Sequence, residues 1–213
     1  MHRKRITNGN SMKNLKHLYF VVLLLFILPM DLACQDGGRD EWQKPQEIMD
    51  NIGVKEGMII GEAGAGDGYF TFHLAKRVGP GGHIYANDID ESALEDLEDG
   101  AETLVLENIT TIHAGEDDPE FPEEALDMIV MMRAYHHFNN PDLWMENVQK
   151  SLKSGALLVI IDVATSRYEP WSGHFMSREE IVNEMSDTNF ELVRVETFLP
   201  RDNIYVYRQK DRD

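Results

Sequence analysis

One short run of small and acidic residues has the types and spacing that could do chemistry. It follows the apolar residues 58–60 and comprises Glu62, Gly64, Ala65, Gly66 and Gly68. Glycines at alternate positions permit positive φ angles and leave out the Cβ atoms that would block a ligand lying across the turn. The run therefore predicts a strand, a glycine turn and a helix, with Glu62 at the sheet edge where ligands bind.

Two other kinds of glycine-rich loop do not fit this run. A dinucleotide-binding loop needs a glycine where the chain has Tyr69, and a phosphate-binding Walker loop needs a Gly-Lys-Ser/Thr sequence that is absent. The pattern E-x-G-x-G-x-G instead resembles the first motif of class I, Rossmann-like S-adenosylmethionine (SAM)-dependent methyltransferases. The resemblance implies that the glycines admit the methionine part of SAM and that Glu62 holds its ammonium group. A tight turn without a ligand is the alternative.

Acidic residues also follow the next two predicted strands. The resemblance implies that Asp88 accepts hydrogen bonds from both ribose hydroxyls of SAM, with Ile89 beside it in the cofactor site. Asp90 is a second candidate, but a helix N-cap is the favoured interpretation for it. Asp117 and Asp118 follow the third strand, where the family binds the adenine amino group. A solvated acidic loop is the alternative there.

The string Tyr-His-His-Phe at residues 135–138 resembles a motif of several small-molecule methyltransferases. Adjacent histidines are expected to point in different directions, which makes them poor joint metal ligands. We expect one of His136 and His137 to be buried and hydrogen-bonded and the other to line the pocket. Either is a candidate catalytic base for a hydroxyl acceptor near neutral pH.

Asp162 ends the predicted fifth strand, where cation-dependent relatives keep carboxylates. Those relatives pair it with an acidic residue at the end of the fourth strand, and this chain has Met132 and Arg133 there. A hard divalent ion would lack its second carboxylate ligand. The sequence therefore predicts no metal site, and activity that survives EDTA.

Short apolar runs alternate with helical patterns along the chain, which predicts a parallel sheet covered by helices. The predicted strands are Met58–Glu62, His83–Asn87, Thr110–Ala114, Met128–Met132, Ala156–Val163, Phe190–Phe198 and Asn203–Arg208. Four residues join the last two runs, and so short a connection requires an antiparallel pair. The expected fold is a three-layer α/β/α sandwich with a mostly parallel seven-stranded sheet and an antiparallel last strand, as in the methyltransferase family.

Three helices are predicted from the spacing of their apolar residues or from a capping pattern. The segment Glu41–Asn51 is expected to form one lead-in helix. Trp144, Val148 and Leu152 are spaced as a helical stripe that Gly155 would end. A capping-box pattern begins a helix at Ser177.

Length, composition and charge define the class of protein. A chain of 213 residues with 42% hydrophobic content fits one domain, which we place at residues 41–213. The net charge of −18 argues against a nucleic-acid partner, because an acidic surface repels phosphate backbones. The expected partner is a small-molecule acceptor, and the sequence does not determine the oligomeric state.

The first 34 residues resemble an export signal. The apolar run Leu18–Met30 is shorter than the roughly 20 residues of a membrane-spanning helix and follows two lysines. Cys34 follows it where a bacterial lipoprotein signal places its lipidated cysteine, although Asp31 departs from that pattern. Ordinary cleavage nearby and an uncleaved anchor are the alternatives. Met12 is a candidate true start, and residues 35–40 are predicted to be a tether. The expected location is the cell envelope or periplasm, or the cytoplasm when the signal is not used.

Two functions follow from these predictions. The first is a SAM-dependent methyltransferase that acts on a small molecule. The second is a non-catalytic SAM-fold module that binds a ligand or partner at the cell envelope, because SAM is made in the cytoplasm and an exported enzyme would find little of it. The intact glycine turn and Asp88 favour catalysis.

Overall fold

The fold is taken from a computed structural model of the chain, which describes residues 38–168 and 173–210. The predicted signal, Cys34 and the first residues of the tether lie outside that part. The tether prediction is wrong for Arg39 and Asp40, because both belong to the first helix. Within the described ranges, no helix has both the length and the apolar character needed to cross a membrane.

The described residues form one sheet of seven strands. The strands are β1 (Ile59–Ala63), β2 (His83–Asp88), β3 (Ile109–His113), β4 (Leu126–Met132), β5 (Leu152–Val163), β6 (Phe190–Glu196) and β7 (Asp202–Gln209). Their order is β3-β2-β1-β4-β5-β7-β6. β7 pairs antiparallel with both β5 and β6, whereas the other neighbours pair in parallel. The predicted fold class and the antiparallel last strand are both confirmed.

Helices cover both faces of the sheet. They are α1 (Arg39–Gln43), α2 (Pro45–Ile52), α3 (Tyr69–Val78), α4 (Glu91–Thr103), α5 (Pro141–Val148) and α6 (Arg178–Ser186), with a short 3₁₀ helix at Tyr135–His137. One core cluster packs Ile48, Phe70 and Leu97 from α2, α3 and α4 against the sheet. The other packs Trp144 of α5 and Ile181 of α6 against the opposite face. Two packed layers around a central sheet give the expected sandwich.

Two predicted helices differ from the structure. The lead-in helix is broken at Lys44, which has a φ of 54° and separates α1 from α2. The following Pro45 disfavours the right-handed helical conformation for Lys44, so the chain cannot continue as one helix. α5 ends at Val148, and Leu152 instead begins β5, where it pairs with Leu126 of β4. Strand pairing therefore overrides the helical spacing of the apolar residues.

Candidate functional site

The glycine turn joins β1 to α3 at the carboxyl edge of the parallel strands. Gly64, Gly66 and Gly68 have φ angles of 69°, 55° and 89°, which a residue with a Cβ atom rarely adopts. A Cβ on Gly64 would lie 2.4 Å from the Cβ of Ala134, so this position also holds the turn against the segment after β4. A Cβ on Gly66 would meet no atom within 4 Å. Gly66 therefore faces space that a ligand can fill.

Glu62 lies at the end of β1 with 1% of its surface exposed. The hydroxyl of Thr71 in α3 donates a hydrogen bond to its Oε2 at 2.6 Å. Burial raises the pKa of Glu62 to about 8, and the bond from Thr71 opposes that rise only in part. The side chain is therefore largely uncharged at pH 7 until a cation comes close to it.

Asp88 is held by the backbone of the two turns that flank it. Its Oδ2 accepts from the Gly66 N–H at 2.8 Å, and its Oδ1 accepts from the Asp90 N–H at 3.0 Å. A carboxylate has about four lone-pair positions, so both oxygens keep acceptor capacity for ribose hydroxyls. Asp90 caps α4 through bonds from the Ser92 and Ala93 backbone, as predicted.

A cleft of about 240 Å³ opens beside Asp88 at this edge of the sheet. Ile89 lines it with 60% of its own surface exposed, in position to pack on a flat ring. The rest of the lining comes from the ends of β1, β2, β3 and β4 and from α5: Gly64, Asn87, Ala114, Gly115, Glu116, Arg133, Ala134, His137, Phe138, Asn139 and Trp144. The cleft therefore extends from the predicted ribose position to the histidine segment.

A larger groove of about 410 Å³ lies at the other end of the sheet. It is lined by residues next to the starts of β4 and β5, among them Glu124 and Lys150. Ligands of open α/β sheets bind at the carboxyl ends of the strands, so we assign the functional site to the smaller cleft.

The three acidic residues after β3 occupy different positions. Glu116 lines the cleft, where its Oε2 accepts from the Asn139 amide at 3.3 Å. The Oδ1 of Asp117 instead accepts from Asn140 at 2.8 Å, and Asp118 accepts from the backbone of Glu120. Neither Asp117 nor Asp118 contributes to the cleft lining. Their predicted contact with adenine stays a prediction, and Glu116 is the one of the three acids that lines the cleft.

The two adjacent histidines divide into a buried and a lining residue, as expected. His136 Nδ1 lies 2.9 Å from both carboxylate oxygens of Asp162, and each of these two side chains is 2% exposed. His137 lines the cleft, and burial together with the nearby His136 and His174 rings lowers its pKa. The expectation that the two rings diverge is wrong, because their centroids are 4.0 Å apart. The tight 3₁₀ turn brings them together.

Arg133 is a cleft residue that the sequence motifs did not single out for binding. It follows β4 with a φ of 57°, an uncommon conformation for a residue with a Cβ atom. Its Nε lies 3.6 Å from Oδ1 of Asp202, a fully buried carboxyl whose pKa burial raises to about 6 and Arg133 partly lowers again. The ion pair connects the residue after β4 to the first residue of β7, across the intervening strand β5.

A family model described as a methyltransferase domain matches residues 54–208, which include the glycine turn, Asp88 and the histidine pair. The chain belongs to this methyltransferase family.

Two curated relatives illustrate the similarity. The ubiquinone/menaquinone biosynthesis C-methyltransferase UbiE of Psychromonas ingrahamii is 24% identical over 125 residues, covering 58% of this chain and 50% of that protein. The demethylmenaquinone methyltransferase of Staphylococcus aureus is 26% identical over 125 residues, covering 58% and 49%. The chain thus spans about half the length of the curated relatives it matches.

A solved structure shows the same fold over most of the chain. A SAM-dependent methyltransferase from Aquifex aeolicus superimposes with a TM-score of 0.77 at 25% identity, covering 81% of this chain and 93% of that one. The comparisons confirm the predicted enzyme class, a SAM-dependent methyltransferase, and the predicted cofactor, SAM.

Sequence reasoning did not select Glu116 and His174 as site residues. Glu116 and the two aspartates that follow it are consecutive, and the sequence pattern alone does not distinguish them. His174 lies in the loop after β5, 37 positions after His137, and belongs to no recognisable motif. A search for further histidines after β5 could have suggested it.

Proposed function

We propose that this protein transfers the methyl group of SAM to a small aromatic acceptor that carries an ionisable hydroxyl. The observation that carries the proposal is one continuous cleft that extends from the Asp88 carboxylate to His137. Asp88 stands where a ribose would bind, and His137 stands at the other end, where an acceptor would approach.

The residues present fit SAM. Gly66 leaves room along the turn, Asp88 keeps free acceptor positions for the ribose, and Ile89 offers an apolar surface for adenine. Glu62 is a buried acid that a bound ammonium group would convert to a carboxylate. SAM supplies a methyl group on a positively charged sulfur. When the methyl group is transferred, the sulfur departs as a neutral thioether.

The protein's own contribution to methyl transfer is mostly positioning, because in-line displacement of a good leaving group needs chiefly a correct approach. Phe138 and Trp144 give the acceptor end of the cleft aromatic walls. His137 is placed to take the proton from the acceptor hydroxyl, which leaves electron density on oxygen or on a ring carbon to attack the methyl group. Asp162 orients His136, which packs against His137.

The relatives' names support an aromatic acceptor. They describe carbon methylation in quinone biosynthesis and methylation of demethylmenaquinone. A phenolic ring fits the aromatic lining beside His137, and its hydroxyl gives that histidine a proton to accept. The resemblance of residues 135–138 to small-molecule methyltransferases agrees with this proposal.

Calorimetry of the full chain with SAM and with S-adenosylhomocysteine tests the cofactor part. Asp88→Ala is expected to weaken both by at least about tenfold, which corresponds to about 1.4 kcal/mol, because a charged hydrogen-bond acceptor is removed. Asp90→Ala is the matched control. It removes only the α4 cap, so it is expected to lower the unfolding free energy by about 1 kcal/mol and leave affinity within about twofold.

The absence of binding with either ligand would contradict the proposal. The acceptor part is tested with SAM carrying a labelled methyl group and a panel of phenols, quinols, thiols and amines. Labelled product is expected with phenols or quinols, and transfer confined to thiols or amines would refute the aromatic hydroxyl.

We also propose that the protein acts at the cell envelope, held there by lipid on Cys34, which requires that SAM made in the cytoplasm reach it there. The apolar run before this cysteine and the small residue next to it support the proposal. Expression in a bacterial host with labelled palmitate is expected to label the wild type and not Cys34→Ser. An unlabelled wild-type protein would refute lipidation, and mass spectrometry of its N-terminus would then identify simple cleavage or an intact signal.

A further inference from the structure

Three histidines from two separate loops meet at the acceptor end of the cleft. His136 and His137 come from the turn after β4, and His174 comes from the loop after β5. One ring nitrogen of each lies within 4.8 Å of the other two. The His174 ring centroid is 5.4 Å from those of both His136 and His137.

The buried Asp162 determines which nitrogen of His136 is available. Its carboxylate lies 2.9 Å from His136 Nδ1 through both oxygens, and because a carboxylate can only accept, Nδ1 carries the hydrogen and donates this bond. The lone pair of the neutral imidazole is then on Nε2. A carboxylate that orients a histidine in this way is the usual outer partner of a metal-bound imidazole.

The geometry points to a site that binds a borderline divalent transition-metal ion, with Zn²⁺ as the expected ion. Three neutral imidazoles match the nitrogen ligands that Zn²⁺ prefers, and they do not suit Mg²⁺ or Ca²⁺. The inference departs from the sequence-based expectation of no metal, which concerned a carboxylate site. Here Asp162 orients a ligand and does not bind the ion itself.

The required movement is small. Zn–N bonds of about 2.0–2.1 Å in a tetrahedron place the nitrogens roughly 3.3 Å apart. The ring nitrogens that come closest to one another are up to 4.8 Å apart, about 1.5 Å more than this spacing, and ring rotation has to bring the coordinating nitrogens together. His137 and His174 are both exposed, whereas the side chain of His136 is buried against Asp162.

The position of the cluster beside the cleft leaves one coordination position of the ion open to a further ligand. His137 lines the cleft, so a fourth ligand would approach from the side on which the proposed acceptor binds. A water molecule or an acceptor hydroxyl on the ion would lose its proton more readily. The lone pair of His137 would then bind the metal, and the ion would take over activation of the hydroxyl. Metal binding itself does not depend on the proposed function.

Equilibrium dialysis of the untagged full chain with ZnCl₂, followed by metal analysis, tests the inference. We expect one Zn²⁺ per chain, and a loss of affinity of at least about 100-fold for His137→Ala and for His174→Ala. Asp162→Asn is expected to weaken binding by about 10- to 100-fold through the orientation of His136. His83→Ala is the matched control, because His83 begins β2 at the opposite edge of the sheet and pairs with Thr110.

Thermal unfolding of each variant verifies that it is folded before affinity is compared. Co²⁺ in place of Zn²⁺ is expected to give visible absorption bands typical of tetrahedral coordination, and these bands should be lost in His174→Ala. Less than about 0.2 Zn²⁺ per wild-type chain would overturn the inference. So would a His174→Ala protein that binds Zn²⁺ as tightly as His83→Ala does.

Discussion

Binding of SAM should release a proton from Glu62. Burial raises the pKa of this side chain to about 8, so about nine tenths of the free protein carries it protonated at pH 7. A bound ammonium group favours the charged carboxylate and typically lowers such a pKa by about 1 to 3 units. The ionised fraction then increases, and about 0.4 to 0.9 proton per SAM leaves the protein.

Calorimetry in buffers with different ionisation enthalpies measures this release. The slope of the observed binding enthalpy against the buffer enthalpy gives the number of protons exchanged. Glu62→Gln is the matched control, because glutamine keeps the shape and an acceptor for Thr71 but cannot ionise. Subtracting its slope isolates the proton exchange that depends on an ionisable side chain at position 62. A difference below about 0.1 proton between the two proteins would refute the assignment of Glu62 to the ammonium.

The raised pKa of Glu62 also predicts how the unfolding free energy depends on pH. Between pH 4.5 and about 8 the folded state holds a proton on Glu62 that the unfolded chain has lost. The Glu62 contribution to the unfolding free energy is therefore complete below pH 4.5. It falls by about 1.4 kcal/mol per pH unit through this window. Urea unfolding at pH 5 and pH 7.5 should show that fall for the wild type and a smaller one for Glu62→Gln, and equal falls would contradict the raised pKa.

Three further substitutions test the geometry of the glycine turn, the room for SAM beside Gly66, and the hydrogen bond between Tyr135 and Glu184. Gly64→Ala should lower the unfolding free energy by more than about 2 kcal/mol, because its Cβ would meet Ala134 at 2.4 Å and its φ is positive; an unchanged urea midpoint would contradict this. Gly66→Ala should cost only about 1 to 2 kcal/mol but weaken SAM binding more than tenfold, and wild-type affinity would show that SAM does not cross this turn. Tyr135→Phe removes the 2.7 Å bond to Glu184 and should cost about 1.5 to 3 kcal/mol with little effect on SAM affinity; an unchanged melting temperature would refute this bond's role.

Most of the framework was predictable because it depends on residues that are close in sequence. The glycine turn follows from the spacing of Gly64, Gly66 and Gly68, and their positive φ angles agree with it. The position of Asp88 follows from the end of β2. The predicted four-residue link before the last strand required an antiparallel pair, and β6 and β7 form one.

Local pattern was insufficient where distant segments compete for the same residue. Leu152 has helical spacing to Val148, but its pairing with Leu126 places it in β5. The backbone of Lys44 was also mispredicted, because the constraint from Pro45 outweighed the apolar contacts of a continuous helix.

The sequence by itself determined the fold class, the glycine turn and the acidic residues at the strand ends, since each rests on short-range periodicity and backbone restriction. Only the tertiary structure decided that Glu116 lines the cleft instead of Asp117, and that His174 lies beside His136 and His137. The physical reason is that loops from different strands meet at one edge of the sheet. The distance between their side chains is set by the packing of the whole sandwich, which no local pattern encodes.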